Sequence, residues 1–380
     1  MEPSEYRAKI DQVDEQIVAL FAQRMAFANA VAKYKQEHGV PVIDMKRERE
    51  KLHDVLNASP EDVKEYVPLL YSLMLELSRS YQYRLLGVGT ELTRKIESAI
   101  DNTPKLFPSN VTVACQGVEG ANSQIAADKL IVGAKIMYFT SFEGVFNAIE
   151  KGFCRYGVIP LENSLAGSVN QVYDLMQRHE FNIVRSLRLK VDHNLLVKPG
   201  VKLSEVREIY SHQHALSQCA NFLATLSNIK IIPCENTAIA AQNVANSDRR
   251  DIAALASRSC IKLYGLECLK ASVQDKDNNY TRFICISKDL EIYPGANRTS
   301  LMASISHEPG SLYKLLSRLY ALGVNLIKLE SRPLPDRDFE FMFYLDLDAP
   351  VYSPRFIQLM GELKGVCETF TYLGSYTEVI

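Results

Sequence analysis

The 380-residue chain has no excess of either charge: 43 Lys and Arg stand against 45 Asp and Glu, a formal net charge of −2. Without a basic surplus it offers nucleic acid no electrostatic footprint. It contains no apolar run of about 18 residues, the length a bilayer-spanning helix needs. Its first residues, MEPSEYRAKIDQVDEQ, are too charged for a secretory signal, so a cytoplasmic protein without a membrane partner is expected. Also missing is any Cys-x-x-Cys pair. The cysteines at 115, 154, 219, 234, 260, 268, 285 and 367 are scattered, mostly in apolar runs, which implies reduced thiols rather than a disulfide frame or zinc site. His212 and His214 can share a strand face but have no convincing third ligand, so neither a metal nor a cofactor is expected.

What is present is ordinary soluble composition, 47% apolar and 23% charged, in a chain long enough for two or three cores. Residues 4–84 read as helix almost throughout. Ile10, Val13, Ile17, Leu20, Phe27 and Val31 recur at helical spacing until His38, Gly39 and Pro41 break the pattern. A second helix fits Asp44 to Leu56, and a third runs from Ser59, with Pro60 in its first turn, to Leu85. The first would be roughly 50 Å long at 1.5 Å per residue, whereas a compact domain of this size has a radius of gyration near about 12 Å. Such a helix needs a partner chain to cover it, so at least a homodimer is expected.

Residues 87–110 read as a linker. Beyond it, VTVAC, AKIMYF, YGVIPLEN, EIYSH, KIIPC and RFICIS are strand-like runs, separated by helical patterns such as FEGVFNAIEKG, VNQVYDLMQRH and TAIAAQNVAN. Thr140 with Glu143 forms a candidate capping box. This alternation predicts an α/β domain over residues 111–288 with its sites at the carboxyl ends of strands. From residue 297 to 380 the order strand, helix, strand, strand, helix, strand predicts a ferredoxin-like βαββαβ module. Ser353 and Pro354 supply the N-cap and first-turn proline of its second helix.

In the helical segment, Arg24 and Lys35 are 11 residues apart and so point within about 20° of one another, while Arg7 points about 80–100° away. Two cations face one pocket and Arg7 is free to enter a neighbour's. YRAKIDQVDEQIVALFAQR, AKYK, VIDMKRERE and LSRSYQ resemble the all-helical chorismate mutases, three helices per chain intertwined as a dimer. The resemblance implies that Arg7 of the second chain, Arg24 and Arg47 hold the two carboxylates of chorismate. It places Lys35 and Gln82 on the ether oxygen and Asp44, Glu48 and Ser78 around the substrate. A Claisen rearrangement needs only a folded substrate and donors aimed at the oxygen that gains charge, which suits this residue set.

Four clusters, GVEGANS (117–123), PLENSLAGSV (160–169), SHQHALSQC (211–219) and NNYTRF (278–283), resemble in order and separation the prephenate dehydratases. That family's fold is two-lobed, like periplasmic binding proteins, with the second lobe here at about residues 190–265. The resemblance puts Thr281 nearest the departing hydroxyl of prephenate and Arg282 on the substrate or its neighbours. Glu162 is the competing acid, and Asn163, Ser164, Ser168 and Gln218 form the polar lining. The family commonly has proline where Val118 stands and an aromatic residue where Asn122 stands, and reads Pro-Gln where Gln213 and His214 stand. That shift raises arogenate, the aminated analogue, as an alternative substrate.

HEPGSLYKLLSRLYALGVNLIKLESRP (307–333) resembles ACT domains, which pair side by side and bind amino acids. The resemblance implies phenylalanine at Gly310, Ser311, Leu312, Asn325, Glu330 and Ser331. The expectation is a bifunctional chorismate mutase and prephenate dehydratase under feedback by L-phenylalanine. The alternative is a two-lobed small-molecule sensor retaining only mutase activity.

Overall fold

The structure, a computed structural model, describes residues 2–40, 44–86, 91–334 and 340–380. Four helices come first: Pro3–Glu37 (α1), Met45–Ala58 (α2), Val67–Leu86 (α3) and Glu91–Asn102 (α4). Then follow Thr112–Gln116 (β1), Asn122–Leu130 (α5), Lys135–Phe139 (β2), Phe142–Glu150 (α6), Tyr156–Asn163 (β3), Gly167–Ser168 (β4), Asn170–Met176 (α7) and Asn182–Lys190 (β5). Next are Asn194–Val197 (β6), Glu208–His212 (β7), Gln213–Gln218 (α8), Ala220–Ala224 (α9), Lys230–Cys234 (β8), Thr237–Asn246 (α10), Ile252–Ala256 (β9), Ser259–Tyr264 (α11), Glu267–Lys270 (β10) and Tyr280–Ser287 (β11). The chain ends with Arg298–Ser304 (β12), Ser311–Ala321 (α12), Asn325–Pro333 (β13), Phe341–Asp348 (β14), Pro354–Val366 (α13) and Thr369–Val379 (β15). None of the helices among the described residues is long and apolar enough to cross a membrane.

These elements form two compact units, residues 1–98 with 301–371 and residues 99–300 with 372–380. The helical segment and most of the βαββαβ module therefore share one unit, where three separate segments are expected from sequence. In that unit α1 runs unbroken for 35 residues, and α3 packs against α1 and α2. The strand order β13-β14-β12-β15 is that of a ferredoxin-like sheet. An ion-pair chain binds the unit together: Glu48 pairs with Arg79, Arg79 with Glu76, Glu76 with Arg318 and Arg318 with Glu362.

The other unit holds two sheets. One runs β15-β5-β11-β3-β1-β2, with β4 beside β3; the second runs β10-β6-β9-β7-β8. Strand β1 lies parallel to both β2 and β3, joined through α5 and α6. That reversal of winding opens a crevice at the carboxyl ends of β1 and β3. The strands can be near-continuous apolar runs because helices cover them: Val158, Ile159 and Leu161 of β3 and all five residues of β9 are buried. The chain passes between the two sheets twice, through residues 191–193 and 271–279.

Three local expectations change. The third helix begins at Val67, because residues 61–66 form turns after Pro60. The segment read as a linker contains α4, in which Thr93, Ile96 and Ala99 are buried at helical spacing. The N-cap of α6 is Ser141, whose hydroxyl accepts from Gly144 N–H at 3.1 Å, rather than Thr140.

Candidate active sites

At the carboxyl end of β3 the chain turns sharply, and Asn163 closes the turn. Its Oδ1 accepts the backbone N–H groups of Leu165 and Ala166 at 3.0 and 2.9 Å. A backbone N–H can only donate, so the amide orientation is fixed and Nδ2 points the other way. Nδ2 donates to Asn279 Oδ1 at 2.8 Å and to Thr281 Oγ1 at 2.9 Å. Thr281 is thereby an acceptor from Asn163, and its own proton is left to donate to a different partner. The register explains the meeting: Thr281 lies opposite Asn163 in the antiparallel pair β11 and β3.

Ser164 pins the approach to β11. Its hydroxyl donates to Asn278 O at 2.7 Å and accepts from Tyr280 N–H at 2.9 Å. From the second sheet comes Gln218, at the end of α8. Its Oε1 accepts from Asn279 Nδ2 at 2.9 Å and lies 2.8 Å from His193 Nε2. Its Nε2 points back to Asn163 Oδ1 at 3.4 Å. Beside this group is a cavity of about 390 Å³ walled by Leu165, Ala166, His214, Ser217, Gln218, Asp275 and Lys276. Thr281 does not line that cavity; it adjoins it through Asn163 and Gln218.

Glu162 and Arg282 do not join this group. They are opposite one another in register, one residue along from Asn163 and Thr281, so their side chains leave the other face of the sheet. There Arg282, only 7% exposed, donates to Glu162 at 3.3 Å and to Tyr376 Oη at 2.8 Å, and pairs with Glu378 at 3.4 Å. Arg188 also pairs with Glu378, at 2.9 Å. The two acids weighed from sequence, Thr281 and Glu162, therefore lie on opposite faces. Ser168 sits in β4 opposite Glu162. His212 and His214 bring their rings to 5.2 Å, but His212 Nδ1 caps α8 by accepting from His214 N–H, and no metal-binding cluster exists among the described residues.

Sequence reasoning missed His193 and Asn279. Asn279 falls within the NNYTRF cluster, and its 1% exposure marks it as a structural partner of the adjacent threonine. His193 lies in the apolar stretch VDHNLLV, where only a buried imidazole without an apolar role could have drawn notice. Burial pushes its pKa below the ordinary histidine value, against the opposing influence of Gln218 and Asp192.

In the helical unit the residues assigned to chorismate are less gathered. Ser78 and Gln82 are buried on one face of α3 and bonded at 3.4 Å. Asp44 caps α2, accepting from Arg47 N–H at 3.0 Å, and the Glu48 carboxylate is bound to Arg79. Arg24 is half-buried and reaches Met74 O at 3.4 Å, and Lys35 is half-buried. Arg7 and Arg47 are exposed. Ile10, Ile17, Leu20 and Phe27 of α1 are each more than half exposed, an apolar stripe far larger than a folded monomer usually shows water.

In the βαββαβ module a cavity of about 370 Å³ opens between Ser306–Leu312 and Glu340–Phe343, with Ser311, Leu312, Phe341 and Phe343 in its wall. Gly310 precedes α12 at φ 88°, a left-handed conformation that favours glycine. Ser331 and Glu330 pair with Phe343 and Tyr344 in the neighbouring strand, whereas Asn325 lies opposite Asp348 at the far end of β13. The six positions assigned to phenylalanine are thus not brought together within one chain.

Comparison with known proteins places these sites in context. Residues 6–83 match the family model described as chorismate mutase type II, and residues 113–291 match that of prephenate dehydratase. The bifunctional chorismate mutase/prephenate dehydratase of Escherichia coli (strain K12) is 31% identical, covering 97% of this chain and 95% of its own length. The chloroplastic arogenate dehydratase/prephenate dehydratase 1 of Arabidopsis thaliana is 35% identical over 70% of this chain and 72% of its own. Among solved structures, prephenate dehydratase from Arthrobacter aurescens in complex with L-Phe has a TM-score of 0.65 at 26% identity, over 70% of this chain and 90% of that one.

Proposed function

This chain belongs to the family of bifunctional chorismate mutase/prephenate dehydratases, and we propose that Thr281, oriented by Asn163, is the group that assists loss of the ring hydroxyl in its dehydratase reaction. The enzyme rearranges chorismate to prephenate and converts prephenate to phenylpyruvate. In the second reaction the ring carboxylate leaves as carbon dioxide, and its bonding pair enters the ring. The ring C–O bond breaks, and the hydroxyl takes up a proton to leave as water. Aromatisation drives the step, so the protein needs a donor at the departing oxygen and polar groups that orient the substrate.

The observation that carries this reading is the fixed direction of the Asn163 to Thr281 hydrogen bond, which leaves the Thr281 proton available for the departing oxygen. An alcohol is a weak acid, so Thr281 acts as a hydrogen-bond donor or relay. Gln218, Asn163 and Ser164 line the approach to it, while Glu162 and Arg282 support the strand from its other face. The test is formation of phenylpyruvate from prephenate by the wild-type enzyme and by a folded Thr281→Ala variant. Undiminished turnover in the variant would sink the assignment. Faster turnover of arogenate than of prephenate would move the substrate preference to the aminated analogue, a reading favoured by the likeness to the Arabidopsis enzyme.

In the mutase, Arg24, Arg47 and the second chain's Arg7 hold the two carboxylates, Lys35 and Gln82 meet the ether oxygen, and Asp44, Glu48 and Ser78 orient the substrate. The buried Ser78 and Gln82 pair supports this, and the exposed apolar stripe of α1 supports a homodimer in which a second copy covers it. The βαββαβ module is a regulatory ACT domain. Its cavity at Ser311 and Leu312 has apolar walls suited to L-phenylalanine, the ligand of the Arthrobacter relative, and pairing of two modules brings Asn325, Glu330 and Ser331 to it. Dehydratase turnover measured with and without L-phenylalanine checks this; equal rates would leave the module a purely structural one.

A further inference from the structure

We infer that His193 is a positioning residue for the dehydratase reaction: its Nε2–H anchors Gln218 and thereby fixes the amide array that orients Thr281. The inference rests on the Thr281 reading above. It follows from tracing donors and acceptors outward from the one place where they are unambiguous. The backbone N–H groups of Leu165 and Ala166 require Asn163 to present its oxygen to them. Asn163 Nδ2 then meets Asn279 Oδ1, so the Asn279 amino group must face Gln218. That group donates to Gln218 Oε1, so Gln218 presents the same oxygen to His193 Nε2 at 2.8 Å. Two acceptors cannot share a hydrogen bond, and Nε2 must carry the proton. Gln218 Nε2 turns back toward Asn163 Oδ1 and closes the ring of amides.

The imidazole is held as firmly as the amides. His193 lies on the first passage between the two sheets, and its backbone N–H donates to Gln274 Oε1 at 3.0 Å on the return passage. Its carbonyl accepts from Val273 N–H at 2.8 Å, and Gln274 Nε2 donates to Asp192 at 3.1 Å. The ring is 4% exposed, so water cannot replace the bond to Gln218 if the ring is lost. Removing the donor leaves Gln218 Oε1 with one partner fewer and frees the amide to rotate. A flipped Gln218 would set its NH₂ against that of Asn279, and the disorder would pass to Asn163 and Thr281. A buried network of this kind is sensitive to one missing member.

The test compares His193→Gln with His193→Met, side chains of nearly equal length of which only glutamine can donate. The expected result is a loss of about ten- to a hundred-fold in kcat on prephenate for His193→Met, the scale of a misplaced catalytic group. KM should change little, and His193→Gln should recover most of the lost rate. Equal kcat in the two variants, whether both high or both low, would overturn the inference. In the unmodified enzyme, ring ¹⁵N shifts should show His193 protonated at Nε2. A proton on Nδ1 instead would overturn it without any variant. Thr281→Ala in the same assay separates the layers: if it retains full turnover, the Thr281 reading fails, whereas its loss beside an unaffected His193→Met rejects His193 alone.

Discussion

Around Thr281, neutral side chains of one chain already hand hydrogen bonds to one another, and two backbone N–H groups set the direction of the whole array. Along α1 and α2, by contrast, cations are spread along the helices, and the apolar stripe of α1 faces water. The contrast follows from the chemistry asked of each site. Dehydration of prephenate needs a donor aimed at the departing oxygen, and the proposed source is an amide array that joins β3 and β11 of one sheet to Gln218 from the other. The rearrangement of chorismate needs several charges around a folded dianion. Like charges gathered in advance would repel one another, so the proposed site, divided between two chains and completed by the substrate, is the less costly construction.

If the comparison holds, each site can be silenced without disturbing the other. The largest effect belongs to Thr281→Ala, which should lower dehydratase kcat by about 10²- to 10⁴-fold, the range of a lost proton-transfer partner, with mutase turnover unchanged. Thr281→Ser should retain more activity than Thr281→Ala, because it keeps the acceptor for Asn163. Next comes Lys35→Ala, expected to cost the mutase about 10²- to 10³-fold, as for a donor to developing negative charge. Dehydratase turnover on added prephenate in that variant should match wild type; a parallel fall would show that the two sites are not independent. Smaller and dilution-dependent is Ile17→Asp on the exposed stripe of α1. It should lower the sedimenting mass and cut mutase activity several-fold at low enzyme concentration, while an unaltered mass would count against coverage by a second copy.

Much of the fold was legible because periodicity and turn residues act locally. The 35-residue α1, the alternation from β1 to β11 and the βαββαβ order all follow from patterns visible in one window of sequence. What escaped depends on tertiary partners. Helix α4 was hidden in a stretch flanked by Gly, Thr and Pro, and only its burial at Ile96 reveals it. Glu162 is a candidate acid in the sequence as a carboxylate of the PLENSLAGSV cluster, yet strand pleating sends it and Asn163 to opposite faces. With Thr281 paired to Asn163, the alternation of β3 is enough to turn Glu162 away from the threonine. His193 was illegible for a different reason: it reaches the site through Gln218, and nothing in a linear pattern records a hydrogen bond across a crevice.

Strand β15 carries a consequence for anyone who would redesign this enzyme. Its final residues, Thr377 to Val379, lie parallel to Arg185 to Leu187, and Glu378 stands beside Arg282. Excising the βαββαβ module from the start of β12 would take with it the strand that pairs with β5. A premature stop meant to remove the proposed regulation would therefore also remove the Glu378 partner of Arg282, and substitutions in the cavity at Ser311 and Leu312 are the safer route.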